Sequence, residues 1–306
     1  MNKKSNAYRI FSLVLVIILA LLFTFPLYWI ITGSFKTGKE INSTTPVWWP
    51  YEWTMKNYQK LMSKFKAPLF EIAIPFSQYF SSDGTPAIGL TGPTVPAAVR
   101  WLLNTVWMAV ASMLLTCLTA AMAGYSLAKK RFVGRNLIFT LIVCAMALPK
   151  QVILIPLIRE MSSLKLYNTL SAVVYPIVGW PFGVFLMKQF SEGIPTEMVE
   201  ACRIDGASEW RTFTDVMFPM IKPGVGALAI FTFISSWNDY FMQLIMLSSN
   251  RNLTISLGIA NMQAENQTDF GLIMAGAAFA AVPIIIVFVI FQKYFTKGIT
   301  MGAVKG

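Results

Sequence analysis

The sequence predicts an all-α membrane protein that forms a single transmembrane domain over residues 1–306. The chain is 56% hydrophobic and only 13% charged, which lies outside the usual composition of soluble domains. Its mean hydropathy is also positive, at +0.59. Six apolar runs are close to the ~20 residues that a helix needs to cross a hydrocarbon core of ~30 Å. These observations predict six transmembrane helices.

The six spans are placed by the apolar runs, in order along the chain. The first run begins after a basic N-terminus, but it is too long for a signal peptide and no cleavage site of small residues follows, so we expect a retained helix. Prolines inside the later runs predict kinked helices. The predicted spans are 10–32, 101–127, 137–158, 170–187, 224–247 and 272–295. The prolines are at positions 149, 156, 176, 181 and 283.

Basic residues in the short flanks predict the orientation of these helices. Three clusters fall on one side of a six-helix arrangement, and short basic flanks are typically cytoplasmic. Both termini, the loop 188–223 and the tail 296–306 are therefore predicted to be cytoplasmic, and the segment 33–100 extracytoplasmic. The clusters are Lys3, Lys4 and Arg9; Lys129, Lys130, Arg131 and Arg135; and Lys293, Lys297 and Lys305.

The residue types present exclude several classes of function. The chain has no histidine, which removes the commonest general base and the usual zinc ligand, and we expect neither an enzyme nor a metal site. The net charge of +11 is explained by cytoplasmic flanks that anchor helices against anionic lipid, so we expect no nucleic acid partner. Three dispersed cysteines imply no disulfide framework.

The loop 188–223 is acid-rich, which is unusual in so basic a chain, and this sign reversal predicts a protein partner. Pro195 and Thr196 favour the start of a helix, Gly206 favours a turn, and Ser208 favours the cap of a second helix. This pattern predicts a helical hairpin. Trp210, Phe213 and Met217 are spaced to form an apolar stripe on it, which we expect to fit a groove on the partner.

Glu200, Ala201 and Cys202, followed by Gly206 and by a segment ending in Pro219, resemble the Glu-Ala-Ala loop of permease subunits in binding-protein-dependent ABC importers. Cys202 stands where that family has alanine. The ending FQKYFTKGITMGAVKG, with the segments NTVWMAVAS, AGYSLAKKRFVGR and SSWNDYF, resembles the maltose-type sugar permeases, specifically their shorter six-helix subunit. The resemblance covers most of the chain after about residue 100.

The resemblance implies a type I ABC importer permease with a MetI-like fold, in the cytoplasmic membrane of a bacterium. It implies a second permease, a dimeric ATPase that uses ATP and magnesium, an extracytoplasmic solute-binding protein and a sugar substrate, with no cofactor bound by this chain. Glu200 would pair with a basic residue of the ATPase. The implied coupling residues are Glu200, Ala201, Cys202, Asp205, Gly206, Ala207, Trp210, Phe213 and Pro219. The tail would reach the ATPase through Gly298, Gly302, Lys305 and Gly306.

Two further groups are candidate functional residues. Polar residues within a membrane span are costly and are often functional, which makes Trp237, Asn238, Asp239 and Tyr240 candidates for the pathway, although a packing role explains them equally well. The polar segment 248–269 is predicted to be an exposed loop, and the resemblance places it against the binding protein. Its candidate contact residues are Asn250, Asn252, Asn261 and Gln263.

Three alternatives remain open at this stage. The same complex would carry another polar solute, such as a glycerol-phosphate ester or an amino acid. A stand-alone secondary transporter would use Asp239 to couple to protons or sodium. A membrane anchor would recruit a partner without transporting a solute.

Overall fold

The computed structural model describes residues 3–74, 76–82, 85–264 and 269–303, which are mostly helical. The first helices are α1 (Lys3–Ser34), α2 (Gly38–Ile41), α3 (Lys56–Ser63), α4 (Ser77–Phe80), α5 (Ala97–Lys129), α6 (Arg135–Ala145), α7 (Leu154–Ser163) and α8 (Leu170–Val178). They are followed by α9 (Pro181–Glu192), α10 (Thr196–Ile204), α11 (Glu209–Arg211), α12 (Phe218–Asn238), α13 (Tyr240–Met246), α14 (Ile255–Ala264) and α15 (Phe270–Ala303). A π-helical stretch, Thr212–Met217, joins α11 to α12.

Five helical runs among the described residues are long and apolar enough to cross a membrane. They are Tyr8–Ser34, Ala97–Lys129, Leu170–Glu192, Glu209–Asn238 and Phe270–Gln292. They correspond to five of the six predicted spans. The predicted helical class is confirmed.

The predicted third span, 137–158, is wrong as a single helix. The chain forms α6 and α7 instead, and the residues between them, 146–153, form successive turns around Pro149. Proline lacks the backbone N–H that a continuing helix requires, which explains why the helix is interrupted here. We call residues 146–153 the first interruption.

The predicted fifth span, 224–247, also differs from the structure. Its helix begins much earlier, because the run Glu209–Asn238 is continuous from the acidic loop into the body of the protein. It ends at Asp239, whose φ and ψ of −77° and 63° are not helical, and α13 follows. We call Asp239 the second interruption.

The outer segment has more structure than its sequence predicts. The expected short helix is present as α3, but the stretch 81–96, predicted as loop, contains two strands. Strands β1 (Lys66–Pro68) and β4 (Thr94–Pro96) pair antiparallel, as do β2 (Glu71–Ala73) and β3 (Ile88–Thr91). These strands have only three or four residues each, which is too short for a clear alternating pattern in the sequence.

Helix α5 lies at the centre of the packing, against α8, α9 and α12. One end of it is buried in a cluster with Trp101 and Leu253, and the other end in a cluster with Tyr125, Met187 and Met217. Helix α1 packs against α15, but its most apolar stretch is not buried within the chain. An apolar helix surface of this kind is stable only in lipid or against another membrane protein.

An ion pair fastens the outer segment to α15. The Lys60 ammonium donates to the Asp269 carboxylate at 2.7 Å. Partial burial raises the pKa of Asp269, but the hydrogen bond and the charge of Lys60, together with backbone N–H donors, outweigh it, so the pKa lies below its ordinary value. This pair later serves as a comparison for another one.

Candidate functional site

The acidic loop forms the predicted hairpin. Helix α10 ends in a Schellman motif, in which the Ala207 N–H donates to the Cys202 carbonyl at 2.9 Å and the Gly206 N–H to the Arg203 carbonyl at 3.1 Å. Gly206 has a φ of +78°, which side-chain-bearing residues rarely adopt. The Ser208 hydroxyl then caps α11 by accepting from the Arg211 N–H at 3.3 Å. The turn predicted at Gly206 and the cap predicted at Ser208 are both present.

The outer face of α10 and its turn are exposed. Glu200, Ala201, Asp205 and Gly206 all lie on this surface, and the Ile204 side chain is 86% exposed. In the described part of the chain, Glu200 and Asp205 make no side-chain hydrogen bond or ion pair. We call residues 196–207 the docking face. It presents unpaired carboxylates beside apolar surface, which suits a basic, partly apolar partner.

Glu209 attaches the hairpin to the body of the protein. Its carboxylate forms an ion pair with Lys130 and accepts hydrogen bonds from the Tyr125 hydroxyl at 3.2 Å and from Arg203 at 3.3 Å. Lys129 adds a hydrogen bond of 2.5 Å to the Ile194 carbonyl. Because Lys129 and Lys130 lie at the end of α5, the hairpin is connected directly to the central helix.

The predicted apolar stripe is wrong in part. Trp210 is exposed, but Phe213 is only 5% exposed and packs against Tyr125, and Met217 is fully buried. The π-helical stretch changes the helical phase across residues 212–217, so residues at the spacing of a regular helix no longer share one face. Phe213 therefore belongs to the core, while Trp210 and Pro219 remain on the surface.

The predicted boundary of the acidic loop is also wrong, because 188–192 belong to α9 and the helix resumes at Glu209. The predicted tail 296–306 is not an irregular extension, since α15 continues to Ala303 and includes Gly298 and Gly302. Lys305 and Gly306 lie outside the described residues.

Asp239 pairs with a residue that the sequence reasoning overlooked. The Lys150 ammonium lies 2.9 Å from Asp239 Oδ2. The other carboxylate oxygen, Oδ1, accepts from the Met242 N–H at 3.3 Å and so caps α13. The pair joins the two interruptions. The signal was present in the sequence, because Lys150 is a charged residue in the middle of a predicted span.

The other pathway candidates have different environments. Trp237 is only 2% exposed and stacks on Phe233, with ring centroids 5.5 Å apart, so it packs in the core in this conformation. Asn238 is exposed and donates to the Ile234 carbonyl at 3.0 Å. Tyr240 is also exposed. Of the four candidates, only Asp239 makes a side-chain contact with a distant helix.

The segment predicted as a polar loop, 248–269, contains helix α14, so that prediction is wrong over 255–264. Asn250 and Asn261 are exposed and Gln263 is half-buried. Asn252 is used internally, since its amide donates to the Asn168 carbonyl at 2.5 Å.

Asn168 organises the start of this segment. Its Oδ1 accepts hydrogen bonds from the backbone N–H groups of Ser248 and Ser249, at 2.9 and 3.0 Å. Its φ of 61° lies in the left-handed region, which asparagine tolerates better than most residues. The sequence reasoning missed Asn168, because nothing local indicates that it holds a loop 80 residues away.

A cavity of about 1390 Å³ opens beside this loop. It lies among the outer strands, the first turns of α5, the turn before α8 and residues 248–252. Its polar lining residues bond to the protein itself: Asn104 donates to the carbonyl of Leu253 at 2.9 Å, and Arg100 donates to that of Pro68 at 3.2 Å. These bonds hold the outer loops on α5.

No group of three or more histidine, cysteine or acidic residues within the described segments is arranged to hold a metal ion. The expectation that this chain binds no cofactor stays a prediction.

Comparison with known proteins gives one family match and several full-length relatives. Residues 118–301 match the model of the family described as binding-protein-dependent transport system inner membrane component. An arabinooligosaccharides transport system permease protein of Halalkalibacterium halodurans is 36% identical over 206 residues, which are 67% of this chain and 74% of that protein. Its counterpart in Bacillus subtilis is 29% identical over 98% of this chain and 97% of that protein.

A solved structure shares the fold. A chain from a bacterial ABC transporter involved in the import of the acidic polysaccharide alginate superposes with a TM-score of 0.71. It is 20% identical and covers 96% of this chain and 99% of that one.

Proposed function

The chain belongs to the family of binding-protein-dependent transport system inner membrane components, and we propose that it carries a saccharide across the membrane, driven by an ATPase that binds the docking face. It is a multi-pass transport subunit and not itself an enzyme. The observation that carries the proposal is the docking face, which combines exposed, unpaired Glu200 and Asp205 with a direct attachment to the central helix through Glu209.

The physical argument concerns how a force on the docking face would travel. The run Glu209–Asn238 is one continuous helical element. A rigid element attached to the hairpin transmits a displacement of the hairpin to its far end, and paired helices moved in this way produce alternating access. The interior of the chain does not provide a nucleotide site, so the energy comes from the partner.

The substrate class rests on the relatives. Permeases that are named for arabinooligosaccharides, diacetylchitobiose and lactose are similar to this chain. We infer an oligosaccharide substrate, delivered by an extracytoplasmic binding protein to a pair formed by this chain and a second permease. The basic flanks support cytoplasmic termini and a cytoplasmic docking face. The transporter that is independent of an ATPase and the non-transporting anchor are not favoured by membership of this family.

The test is co-purification of the permease pair with its candidate ATPase in detergent. Glu200→Arg and Gly206→Asp are expected to lose most of the ATPase while retaining the second permease. Two variants serve as matched controls. Glu160→Arg makes the same charge change at another exposed site, and Gly134→Asp makes the same substitution at another exposed glycine with positive φ, +84°.

Recovery of the ATPase at native levels with both docking-face variants would overturn the proposed coupling. Loss of the ATPase from the controls as well would show that any surface change disrupts the complex. For the substrate, the reconstituted complex is expected to accumulate a labelled oligosaccharide in an ATP-dependent manner. Accumulation of glycerol phosphate instead would reject the saccharide class.

A further inference from the structure

We propose that Lys150 and Asp239 form a latch between two interrupted helices, which is closed in the conformation described here and opens during transport. The inference rests on the proposed importer function. It assigns a role to Lys150, and it makes Asp239 a residue that controls conformation rather than one that contacts the solute.

The first step of the argument is the position of the pair. Lys150 lies in the first interruption, between α6 and α7, and Asp239 is the second interruption, between α12 and α13. They are 89 residues apart in sequence, yet Nζ and Oδ2 are 2.9 Å apart. Non-helical backbone at membrane depth is tolerated only where protein or water satisfies it, and it occurs where helices bend. The ion pair therefore joins the two points at which these helices are able to bend.

The second step concerns how little else holds the first interruption. Residues 146–153 are exposed along their whole length. Over the segments that the structure describes, the Lys150 ammonium makes the only side-chain hydrogen bond between this interruption and the rest of the chain. Opening the pair would free the first interruption without disturbing a packed core.

The third step concerns how firmly the other side is built. Gln243 is fully buried and spans the second interruption, because its amide donates to the Ser236 carbonyl at 3.1 Å. Its Oε1 accepts from the Thr254 hydroxyl at 2.5 Å. Asp239 itself caps α13. The carboxylate is thus held in place by the protein, at 13% side-chain exposure, while the Lys150 side chain is 59% exposed and free to leave.

The fourth step connects the latch to the docking face. The helical run that begins at Glu209 ends at Asn238, immediately before Asp239. A displacement of the hairpin therefore acts on Asp239, whereas Lys150 belongs to a different helix pair. A change in the hairpin's position stretches or releases the ion pair, and an interaction that differs between two conformations shifts their populations.

The first test is a reversible cross-link in the complete complex. Cys117, Cys144 and Cys202 are replaced by alanine, and Lys150→Cys is combined with Asp239→Cys. A short bifunctional methanethiosulfonate reagent is expected to join the two cysteines and to stop solute uptake by proteoliposomes, and thiol reduction is expected to restore it. Lys60→Cys with Asp269→Cys replaces another ion pair of similar length, 2.7 Å, and its cross-link is expected to leave uptake unchanged.

Continued uptake after cross-linking at positions 150 and 239 would overturn the proposal. Failure of these positions to cross-link in every nucleotide state would also overturn it, as would equal arrest by the control pair. Uptake by the complex before cross-linking tests the importer function itself, so failure of the two proposals is distinguishable.

The second test is a double-mutant cycle. Asp239→Asn keeps an oxygen that is able to cap α13 but removes the charge, and Lys150→Met removes the ammonium from a side chain of similar length. Each is expected to change ATP hydrolysis in the absence of binding protein by roughly threefold or more, and the double variant by no more than either alone, because both break one interaction. Additive effects, or none, would contradict the latch.

Discussion

Gly124 is the residue at which the central helix comes nearest to α9. A Cβ atom at this position would lie 2.6 Å from the Met187 carbonyl carbon and 2.7 Å from the Lys188 nitrogen. Both are backbone atoms, so no side-chain rotation relieves the overlap. The two helices are therefore able to pack at this distance only because residue 124 lacks a side chain.

Gly124→Ala is expected to destabilise the protein by about 1–3 kcal/mol, the usual cost of inserting a methyl group into a packed interior. Gly179→Ala is the control, because a Cβ there meets nothing within 4 Å. That change is expected to be neutral or to stabilise by about 0.4–1 kcal/mol, since alanine restricts the unfolded chain. The measurement is thermal unfolding in detergent, and equal midpoints for the two variants would refute the close approach.

At the scale of elements, the loop 248–252 is held by a turn from another part of the chain. Asn168 contributes both its backbone and its side chain to this contact, and it lies just before α8. The segment that the relatives' family would present to a binding protein is thus positioned by the α7–α8 connection and not by its own sequence.

Asn168→Gly keeps the left-handed backbone but removes the side-chain acceptor, and a lost buried hydrogen bond costs about 1–3 kcal/mol. Amide hydrogen exchange at Ser248 and Ser249 is therefore expected to accelerate roughly tenfold or more. Asn168→Asp, which retains an oxygen in the same place, is expected to preserve most of the protection. Mass spectrometry of peptides covering 244–254 measures it. Unchanged exchange in the glycine variant would show that the loop is held by other contacts.

At the scale of the whole molecule, the structure has two functional ends joined by continuous helices. The docking face lies beside the basic end of α5, and the loop around Asn261 lies beside the opposite end of α5. The helices α5 and α12 connect these ends, and the latch joins α12 to a helix pair outside this central group.

The two ends are expected to lie on opposite sides of the membrane. In a chain whose own cysteines are replaced by alanine, Arg131→Cys is expected to react with a membrane-impermeant maleimide only in inside-out vesicles. Asn261→Cys is expected to react only in right-side-out vesicles. Both positions are exposed, so burial does not prevent labelling. Labelling of both cysteines from the same side would reject the predicted orientation.

Much of the molecule was predictable from local sequence. Long apolar runs identified the membrane class, and the turn at Gly206 with the cap at Ser208 identified the hairpin. These features depend on residues within a few positions of each other. The inward side of the hairpin was not predictable in the same way, because the π-helical stretch at 212–217 turns Phe213 into the core.

The sequence by itself determined that this chain spans a membrane, that it carries an acidic hairpin, and to which family it belongs. Only the tertiary structure decided that Lys150 meets Asp239, that Glu209 attaches the hairpin to α5, and that Asn168 holds a distant loop. The physical reason is that hydropathy and turn propensity act between near neighbours. Ion pairs and side-chain hydrogen bonds between distant residues form only after the helices have packed and brought those atoms within about 3 Å.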